Sequence, residues 1–162
     1  MVAIRLTDVE AYGGGDDPAS HAYRSRTDSN APMWGPAGTI YVYLSYGIHW
    51  CANIVTGPRG HPSAVLLRGG DVVDGRAAAI ERRGRVDHLA DGPGKLSQTL
   101  GLDGSASGTT LTDGPLTISH PFGSVVDVAK TPRIGISHAT EVLWRFVEGG
   151  PMSGASSTIR RP

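Results

Sequence analysis

The chain has 162 residues, and fifteen basic residues balance fifteen acidic ones, so its formal net charge at pH 7 is zero. That length suits one domain with a single core, predicted over residues 1–150, with a glycine- and serine-rich flexible tail at 151–162. The neutral balance argues against bulk attraction to a polyanion, although thirteen of the fifteen basic residues are arginines, which suit phosphates and flat rings.

The first predicted element is a strand over residues 3–12, where apolar and polar residues alternate before a run of three glycines. Residues 13–38 follow as a predicted long loop that carries aspartate, histidine, arginine and tryptophan side chains. A loop of this length inside a small domain is usually functional. The abundance of glycine and proline indicates a turn-rich α+β or mainly β fold in which helix is the minority element.

Residues 39–54 are predicted to form a hairpin with aliphatic side chains on one face and tyrosines on the other. Gly47 supplies the positive φ that a tight turn often needs, so Tyr46 is predicted at or beside an exposed tip. An aromatic ring at a tip suggests insertion into another molecule, such as a stack of DNA bases. The alternative is a ring that caps a neighbouring loop, and the pattern alone favours that more common arrangement.

The middle of the chain is predicted to hold a buried strand and two short helices. The strand covers residues 64–68 and ends in Arg68, and a helix over 76–86 presents arginines as an ordinary solvated face. The second helical stretch, 96–100, follows a Pro-Gly turn whose amides, together with Lys95, suit an anion.

The last third of the chain shows weaker strand patterns. They are predicted at 116–119, 133–136 and 143–147, and the segment 121–132 separates the first of them from the others. Mainly antiparallel pairing of short strands is compatible with this spacing.

Several classes of chemistry lose support from the sequence. Cys51 is the single cysteine, which excludes an internal disulfide, and the six histidines lack zinc-ligand spacing, so no metal and no cofactor are expected. Serine-triad and phosphate-loop motifs are absent, which argues against acyl and phosphoryl transfer. Neither an export signal nor a long apolar run is visible, so a soluble, cytoplasmic protein without a membrane partner is expected.

Glu10 is the leading candidate for a general base, because it lies near the end of a strand, beside Tyr12, and can face a cleft. A solvent-facing carboxylate on an edge strand is the more common fate of an arbitrary glutamate. His21 could orient a substrate or water, although a lone loop histidine is more often structural. A paired-carboxylate glycosidase remains open, with Asp16 or Asp17 as the second acid.

Seven short blocks of the chain, in the same order, resemble the alkyladenine (3-methyladenine) DNA glycosylase family. Each block alone is a weak signal, whereas the ordered set covers most of the chain. The blocks are Val-Glu-Ala-Tyr at 9–12, Ala-Ser-His at 19–21, Gly-Thr-Ile-Tyr-Val-Tyr-Leu-Ser-Tyr-Gly at 38–47, Cys-Ala-Asn-Ile at 51–54, Val-Leu-Leu-Arg at 65–68, Asp-Gly-Pro-Gly-Lys-Leu at 91–96 and Arg-Ile-Gly-Ile at 133–136.

The resemblance implies an α+β domain with a curved, mainly antiparallel β-sheet, a few short helices, long loops and a protruding β-hairpin. It also implies base-excision repair, in which a damaged nucleotide is flipped out of the duplex and the bond between base and sugar is hydrolysed. Only Lys95 and Lys130 are lysines, so lyase chemistry through an amine is disfavoured and an abasic product without strand cleavage is expected.

The family's catalytic roles carry over to three positions. Glu10 matches the general base that activates the attacking water, and Arg68 with the backbone carbonyl of Ile134 matches the groups that help to hold that water. Four further residues match the walls of the base pocket: Tyr12, His21, Tyr43 and Asn53.

The family's DNA contacts carry over to the hairpin tip and to two basic side chains. Tyr46 matches the wedge that fills the vacated space in the duplex, with Ile48 and His49 just beyond it. Arg26 and Lys95 are expected to contact the DNA backbone.

The chain departs from the family pattern in two places. Family members usually begin with a helix before the first strand, whereas here the strand begins within three residues of Met1, so that helix is expected to be missing. An arginine expected shortly before Trp34 is absent, and Asp28 introduces an acid, which predicts weaker DNA binding.

The expected partner is therefore double-stranded DNA that contains alkylated or deaminated purines, bound by a monomer, with an oligomer not excluded. In a bacterium the protein would associate with the nucleoid. An alternative of a different class is a lesion-binding protein that recognises or shields damage without cutting. Retention of Glu10 favours catalysis, because a carboxylate facing the DNA backbone has little use in a pure binder.

Overall fold

The computed structural model of the protein describes residues 1–119 and 127–149, and the tail predicted at 151–162 lies outside them. Across the described ranges six strands form one antiparallel sheet in the order β2-β3-β4-β1-β6-β5. The strands are β1 (Ala3–Tyr12), β2 (Ile40–Ser45), β3 (His49–Val55), β4 (Ala64–Asp74), β5 (Val128–Thr131) and β6 (Arg145–Glu148).

Two short α-helices follow β4. The first, α1 (Arg76–Arg83), ends at Gly84, whose left-handed φ of 65° stops the helix at no steric cost. The second, α2 (Pro93–Leu100), begins at a proline, which suits a first helical turn because its missing N–H has no partner there. Single 3₁₀ turns cover Gly14–Asp16, Ala31–Trp34 and Gly104–Ala106.

One face of the sheet packs on α2 and forms the main hydrophobic core. Leu96 of α2 is fully buried against the alternating aliphatic residues of β2 and β3, and the 3₁₀ turn at Gly104–Ala106 closes the same cluster. The buried members of this core are Ile40, Val42, Ala52, Ile54, Leu67, Ala90, Leu96, Leu102 and Ala106.

The opposite face of the sheet carries the polar and aromatic residues. Strand register aligns Tyr41 with Asn53, Asn53 with Leu66, and Leu66 with Glu10, in one row across four strands. Because side chains alternate along a strand, residues two positions away from this row lie on the same face. Tyr12, Tyr43 and Arg68 therefore lie on this face too, and strand register together with side-chain alternation gathers most of the candidate site.

The predicted α+β class and mainly antiparallel sheet are confirmed. The strand predicted at 64–68 is the start of a longer strand that continues to Asp74, and the helix predicted at 96–100 begins three residues earlier, at Pro93. The helix predicted at 76–86 ends at Arg83 because Gly84 follows.

The strands predicted in the last third of the chain were partly wrong. Residues 116–119 alternate in polarity but pair with no strand in the described part of the chain, and Leu116 packs against the core instead. Residues 133–136 form a bend, because Gly135 takes a φ of 79° that an extended strand does not allow. The third strand begins at Arg145, and its partner β5 was not anticipated.

Close backbone approach at Gly70 holds β4, which carries Arg68, against β1, which carries Glu10. A Cβ at Gly70 would lie 2.3 Å from the Arg5 carbonyl oxygen, which is far inside van der Waals contact. We expect Gly70→Ala to lower the free energy of unfolding by about 1–3 kcal/mol, because the strands must shift to admit a methyl group. Urea denaturation measures this change.

Gly15→Ala is the matched control, since a Cβ there meets nothing within 4 Å. Its free energy of unfolding should stay within about 0.5 kcal/mol of the parent value. Equal effects of the two substitutions would contradict the steric account of Gly70.

Candidate active site

A cavity of about 670 Å³ opens on the polar face of the sheet, beside the β2–β3 hairpin. Its floor comes from β3 and β4, one wall from the tyrosines of β2, and the opposite wall from Tyr12 and residues 134–138. The long loop after β1 closes the remaining side with residues 18–24. Segments from widely separated parts of the chain therefore converge on this cavity.

Glu10 lies fully buried behind the cavity wall, and three donors surround its carboxylate. The Ile134 backbone N–H donates to Oε1 at 2.8 Å, and the Tyr12 hydroxyl donates to Oε2 at 2.9 Å. The Arg68 guanidinium lies 3.4 Å from Oε1. A buried carboxylate is stable only when paired in this way.

Arg68 connects Glu10 to a second carboxylate. Its Nε atom lies 3.5 Å from Asp8, while Arg145 of the neighbouring strand β6 forms two hydrogen bonds to Asp8, at 2.9 and 2.7 Å. These side chains are mostly shielded from solvent, so the attraction is only weakly screened. Asp8 and Arg145 thereby fix where Arg68 points.

His21 and two tyrosines form an aromatic cluster inside the cavity. The His21 Nδ1 atom lies 2.9 Å from the Tyr41 hydroxyl, and its ring meets the Tyr43 ring edge-on at a centroid distance of 4.4 Å. The Tyr41 and Tyr43 rings stack at 5.7 Å. A flat aromatic ligand can stack within such a cluster, because every exposed ring presents a π-face.

Burial shifts the acid–base behaviour of this cluster. It raises the pKa of Tyr41 to about 12 and raises the pKa of Tyr43 above its usual value, so both hydroxyls stay protonated at neutral pH. The Tyr12 pKa is raised by burial and by the adjacent Glu10 carboxylate. Although His21 is exposed at the cavity mouth, partial burial of its ring lowers its pKa and favours the neutral imidazole.

Asn53 lies on the cavity floor with a fixed amide orientation. Its Nδ2 atom donates to the carbonyl of Tyr41 at 3.1 Å and to that of Cys51 at 3.5 Å. Because both donor hydrogens have backbone partners, the side-chain oxygen is the atom left to face a ligand. Asn53 is 5% exposed, so its position is set by the sheet.

The tip of the β2–β3 hairpin exposes large apolar side chains. Tyr46 is 90% exposed and Ile48 is 70% exposed, with Leu44 beside them. Tyr46 takes a left-handed φ of 51°, and Gly47 continues the turn at 71°. His49 is also exposed and packs against Gly94 at the start of α2.

The two basic residues expected at the DNA backbone lie outside the cavity. Lys95 lies in the first turn of α2 and donates to Asp91 at 2.8 Å, so any phosphate must compete with that carboxylate. His88 contacts the same carboxylate, and these two hydrogen bonds lower the pKa of Asp91 to about 2. Arg26 is exposed in the long loop, and its neighbour Arg24 reaches the cavity rim.

Sequence reasoning gave no role to two residues that organise the site, Tyr41 and Arg133, and gave a different role to a third, Asp17. Strand alternation placed Tyr41 beside Tyr43, and its hydrogen bond to His21 is the contact that gives it a role. Asp17 was considered as a second acid, but it is buried and paired with Arg133. Burial alone raises the Asp17 pKa, and Arg133 with two backbone N–H donors reverses this and lowers it.

Asp17 is held by Arg133 and by two backbone N–H donors and is not among the residues that line the cavity, so it is not placed to act as the second carboxylate of a glycosidase pair. Within the described residues, no group of three or more His, Cys, Asp or Glu side chains has the arrangement to hold a metal ion. No helix in residues 1–119 or 127–149 combines the length and apolar character that crossing a bilayer requires.

Comparison with known proteins agrees with this arrangement. The family model for methylpurine-DNA glycosylase (MPG) matches residues 1–151. A protein from Frankia casuarinae is 51% identical over 159 residues, covering 90% of this chain and 75% of its own. One from Nocardia farcinica is 46% identical over 173 residues, covering 99% and 80%. Both are named, provisionally, as 3-methyladenine DNA glycosylases. The chain belongs to the methylpurine-DNA glycosylase family, which confirms the resemblance seen in the sequence.

The environment of His21 predicts an unusual titration. We expect the midpoint for His21 below the ordinary value of 6.5, because its ring packs on two tyrosines and has no carboxylate partner among its hydrogen bonds. The folded state then disfavours the proton, so this contribution to stability is complete above about pH 6.5 and is lost as the pH falls toward the lower folded-state value. NMR titration of the histidine ring signals measures the midpoint.

A His21→Gln sample identifies the signal by its loss. A midpoint at or above 6.5 would contradict the partly desolvated environment assigned to the ring.

Proposed function

We propose that the protein is a DNA glycosylase that hydrolyses the N-glycosidic bond of an alkylated purine nucleotide flipped out of duplex DNA. The observation that carries this proposal is a buried carboxylate, Glu10, directly behind an aromatic cavity wide enough for a purine. Family membership supports the same reaction class, and the provisional names of the relatives point to 3-methyladenine. Adenines and guanines alkylated on the ring belong to the proposed substrate class.

In the proposed reaction Glu10 acts as the general base. A water molecule that donates a hydrogen bond to the Glu10 carboxylate attacks C1′ of the flipped nucleotide, and Glu10 takes the proton. The bond between C1′ and the base nitrogen breaks, and its electron pair leaves with the base. The products are a free purine and an abasic site.

The surroundings of Glu10 suit that role. Tyr12, Arg68 and Ile134 line the cavity and also contact the Glu10 carboxylate. The sugar of the flipped nucleotide would therefore lie next to the groups that hold Glu10 in place. Arg68 and Ile134 are proposed to help position the water. The three groups that donate to Glu10 need not move during the reaction, because the sheet and the 133–136 bend already hold them in place.

The cavity favours a base that carries positive charge. Alkylation of a ring nitrogen makes a purine cationic or weakens its bond to the sugar, and tyrosine faces attract cations through their quadrupole. The neutral form of His21 adds no competing positive charge. Tyr12, His21 and Tyr43 are proposed as the walls that contact the flipped base, and the Asn53 oxygen as the group that excludes an exocyclic amino group. A deaminated purine would bind through stacking alone.

Simple hydrolysis, without a lyase step, fits the composition of the cavity. A lyase needs a primary amine that attacks C1′, and no lysine is among the cavity-lining residues within the described ranges. Lys95 is paired with Asp91 and Lys130 lies on β5 at the edge of the sheet. The proposed product is therefore an intact strand with an abasic site.

The hairpin tip is proposed as the DNA-inserting element. Tyr46 would enter the duplex where the nucleotide has left, with Ile48 and His49 against the neighbouring bases, while Arg26 and Lys95 contact phosphates. Insertion removes apolar surface from water and replaces stacking that flipping destroys. One copy of the chain supplies all of these contacts, so the proposed species on DNA is a monomer.

Glu10→Gln is the central test. The amide keeps the shape of the side chain but does not accept a proton, so we expect release of 3-methyladenine from methylated duplex DNA to fall at least ~10²-fold. Binding to the same duplex should persist. Single-turnover release of free base and an electrophoretic binding assay measure the two effects.

Glu81→Gln, on the exposed face of α1, is the matched control and should release base at the parent rate. Base release that survives Glu10→Gln would remove Glu10 as the general base. Lesion-selective binding by the parent protein, with no release over long incubation, would instead indicate a protein that recognises damage without cutting.

Tyr46→Ala tests the wedge separately from the chemistry. We expect base release from duplex DNA to fall ~10–100-fold, because the flipped state loses the ring that fills the vacated space. Release from a methylated single strand should change less than about twofold, since no pairing has to be broken there. Val73→Ala is the control, because Val73 is also exposed but lies near the end of β4, beyond the part of that strand that pairs with the hairpin. Equal losses on both substrates would assign Tyr46 to the pocket.

A further inference from the structure

Arg133 is a fully buried cation at the back of the proposed active site. Its guanidinium forms two hydrogen bonds to Asp17, at 2.5 and 2.9 Å, and donates at 3.0 Å to the Ala11 carbonyl. The side chains of Arg133 and Asp17 are 0% and 2% exposed. Such a pair is costly to bury, and two parallel hydrogen bonds are the geometry that offsets the cost most fully.

Aromatic rings complete the enclosure of the guanidinium. Its carbon lies 4.7 Å from the centre of the Tyr12 ring and 5.2 Å from that of Trp144. Both distances are within the range for cation–π attraction. Trp144 is itself tied to β1, because its carbonyl accepts a hydrogen bond from Ala11 at 2.8 Å. The guanidinium therefore has hydrogen-bond partners at both of its terminal nitrogens and two aromatic rings within reach.

Asp17 is fixed on the other side of the pair. It accepts backbone hydrogen bonds from Gly13 and Ala19, both at 3.0 Å, in the loop that follows β1. Arg133 thus joins the segment 133–136, which follows β5, to the strand that carries Glu10 and to the loop beyond it. Residues far apart in the chain meet at this one side chain.

The next residue along the chain contacts the general base directly. Ile134 donates its backbone N–H to Glu10 at 2.8 Å, and Gly135 turns the chain away immediately afterwards. We infer that Arg133 is a positioning residue: clamped by Asp17, it holds the Ile134 amide against the Glu10 carboxylate. This inference rests on the proposed function for its meaning, but the contact can be measured without any activity.

Lysine at position 133 is the informative replacement. A single ammonium keeps the charge but does not form the two parallel hydrogen bonds or stack on aromatic rings as a guanidinium does. The 133–136 segment should loosen, and the Glu10 carboxylate should lose its amide donor for part of the time. When the ionised form of a carboxyl group loses a hydrogen-bond donor, the protonated form persists to higher pH.

The test is a titration of the Glu10 carboxyl carbon by NMR in protein labelled at glutamate, with Glu10→Gln to identify the signal. We expect the midpoint in Arg133→Lys to lie above the parent midpoint, because the ionised carboxylate has lost a hydrogen-bond donor. In the parent protein the Ile134 amide proton should shift with the same midpoint. Where base release is active, the acidic limb of its pH profile should move upward by the same amount.

Two further variants separate positioning from general stability. Arg5→Lys also weakens ion pairs on the sheet, to Asp71 and Glu148, but contacts nothing at Glu10. It should lower the melting temperature without moving the Glu10 midpoint. Asp17→Asn weakens the clamp from the other side at constant volume, and it decides the question if Arg133→Lys does not fold. We expect a smaller upward shift in the same direction.

An unchanged Glu10 midpoint in the folded Arg133 or Asp17 variant would overturn the positioning role. An Ile134 amide that ignores the titration of Glu10 in the parent protein would overturn it as well. Absence of base release from the parent protein would refute the proposed function and leave the NMR result to decide the role of Arg133.

Discussion

The structure depends on one requirement, that a carboxylate taken out of water must find donors inside the protein. The Glu10 carboxylate has three donors around it, and they come from its own strand, from β4 and from the bend before β6. No single segment supplies a complete shell for the charge. Folding of the sheet and assembly of the site are therefore the same event, because the strands that pair around Glu10 bring its donors with them.

The part of this arrangement set by local periodicity was predictable. Alternation along β1 and β2 and the Gly47 turn located Glu10, Tyr43 and Tyr46 correctly as elements of a strand and a hairpin, because strand geometry has a period of two residues. The pattern alone suggested a general base at Glu10 and an inserting ring at Tyr46, and the family resemblance supplied the other roles. Periodicity does not show which residues of different strands are neighbours. The strand register does, and it places Asn53 and Glu10 in one row through β4.

The other contacts of the site and the short strands could not be predicted from the sequence, because they depend on pairing between distant residues. Asp17 and Arg133 are separated by 116 positions, and nothing near Asp17 distinguishes it from its exposed neighbour Asp16. The short strand β5 has too few residues to show a pattern and exists through its pairing with β6. Residues 133–136 looked like a strand, and only the left-handed Gly135 reveals the bend.

The hairpin tip has a thermodynamic consequence for the free protein. A tyrosine that is 90% exposed and an isoleucine that is 70% exposed leave apolar area in contact with water, and the left-handed backbone at Tyr46 costs roughly 1–2 kcal/mol beyond that. The unbound molecule is thus held at a higher free energy than a chain with a polar turn. Any partner that covers these two side chains recovers part of that free energy, so the exposed tip contributes to binding without any change in its own shape.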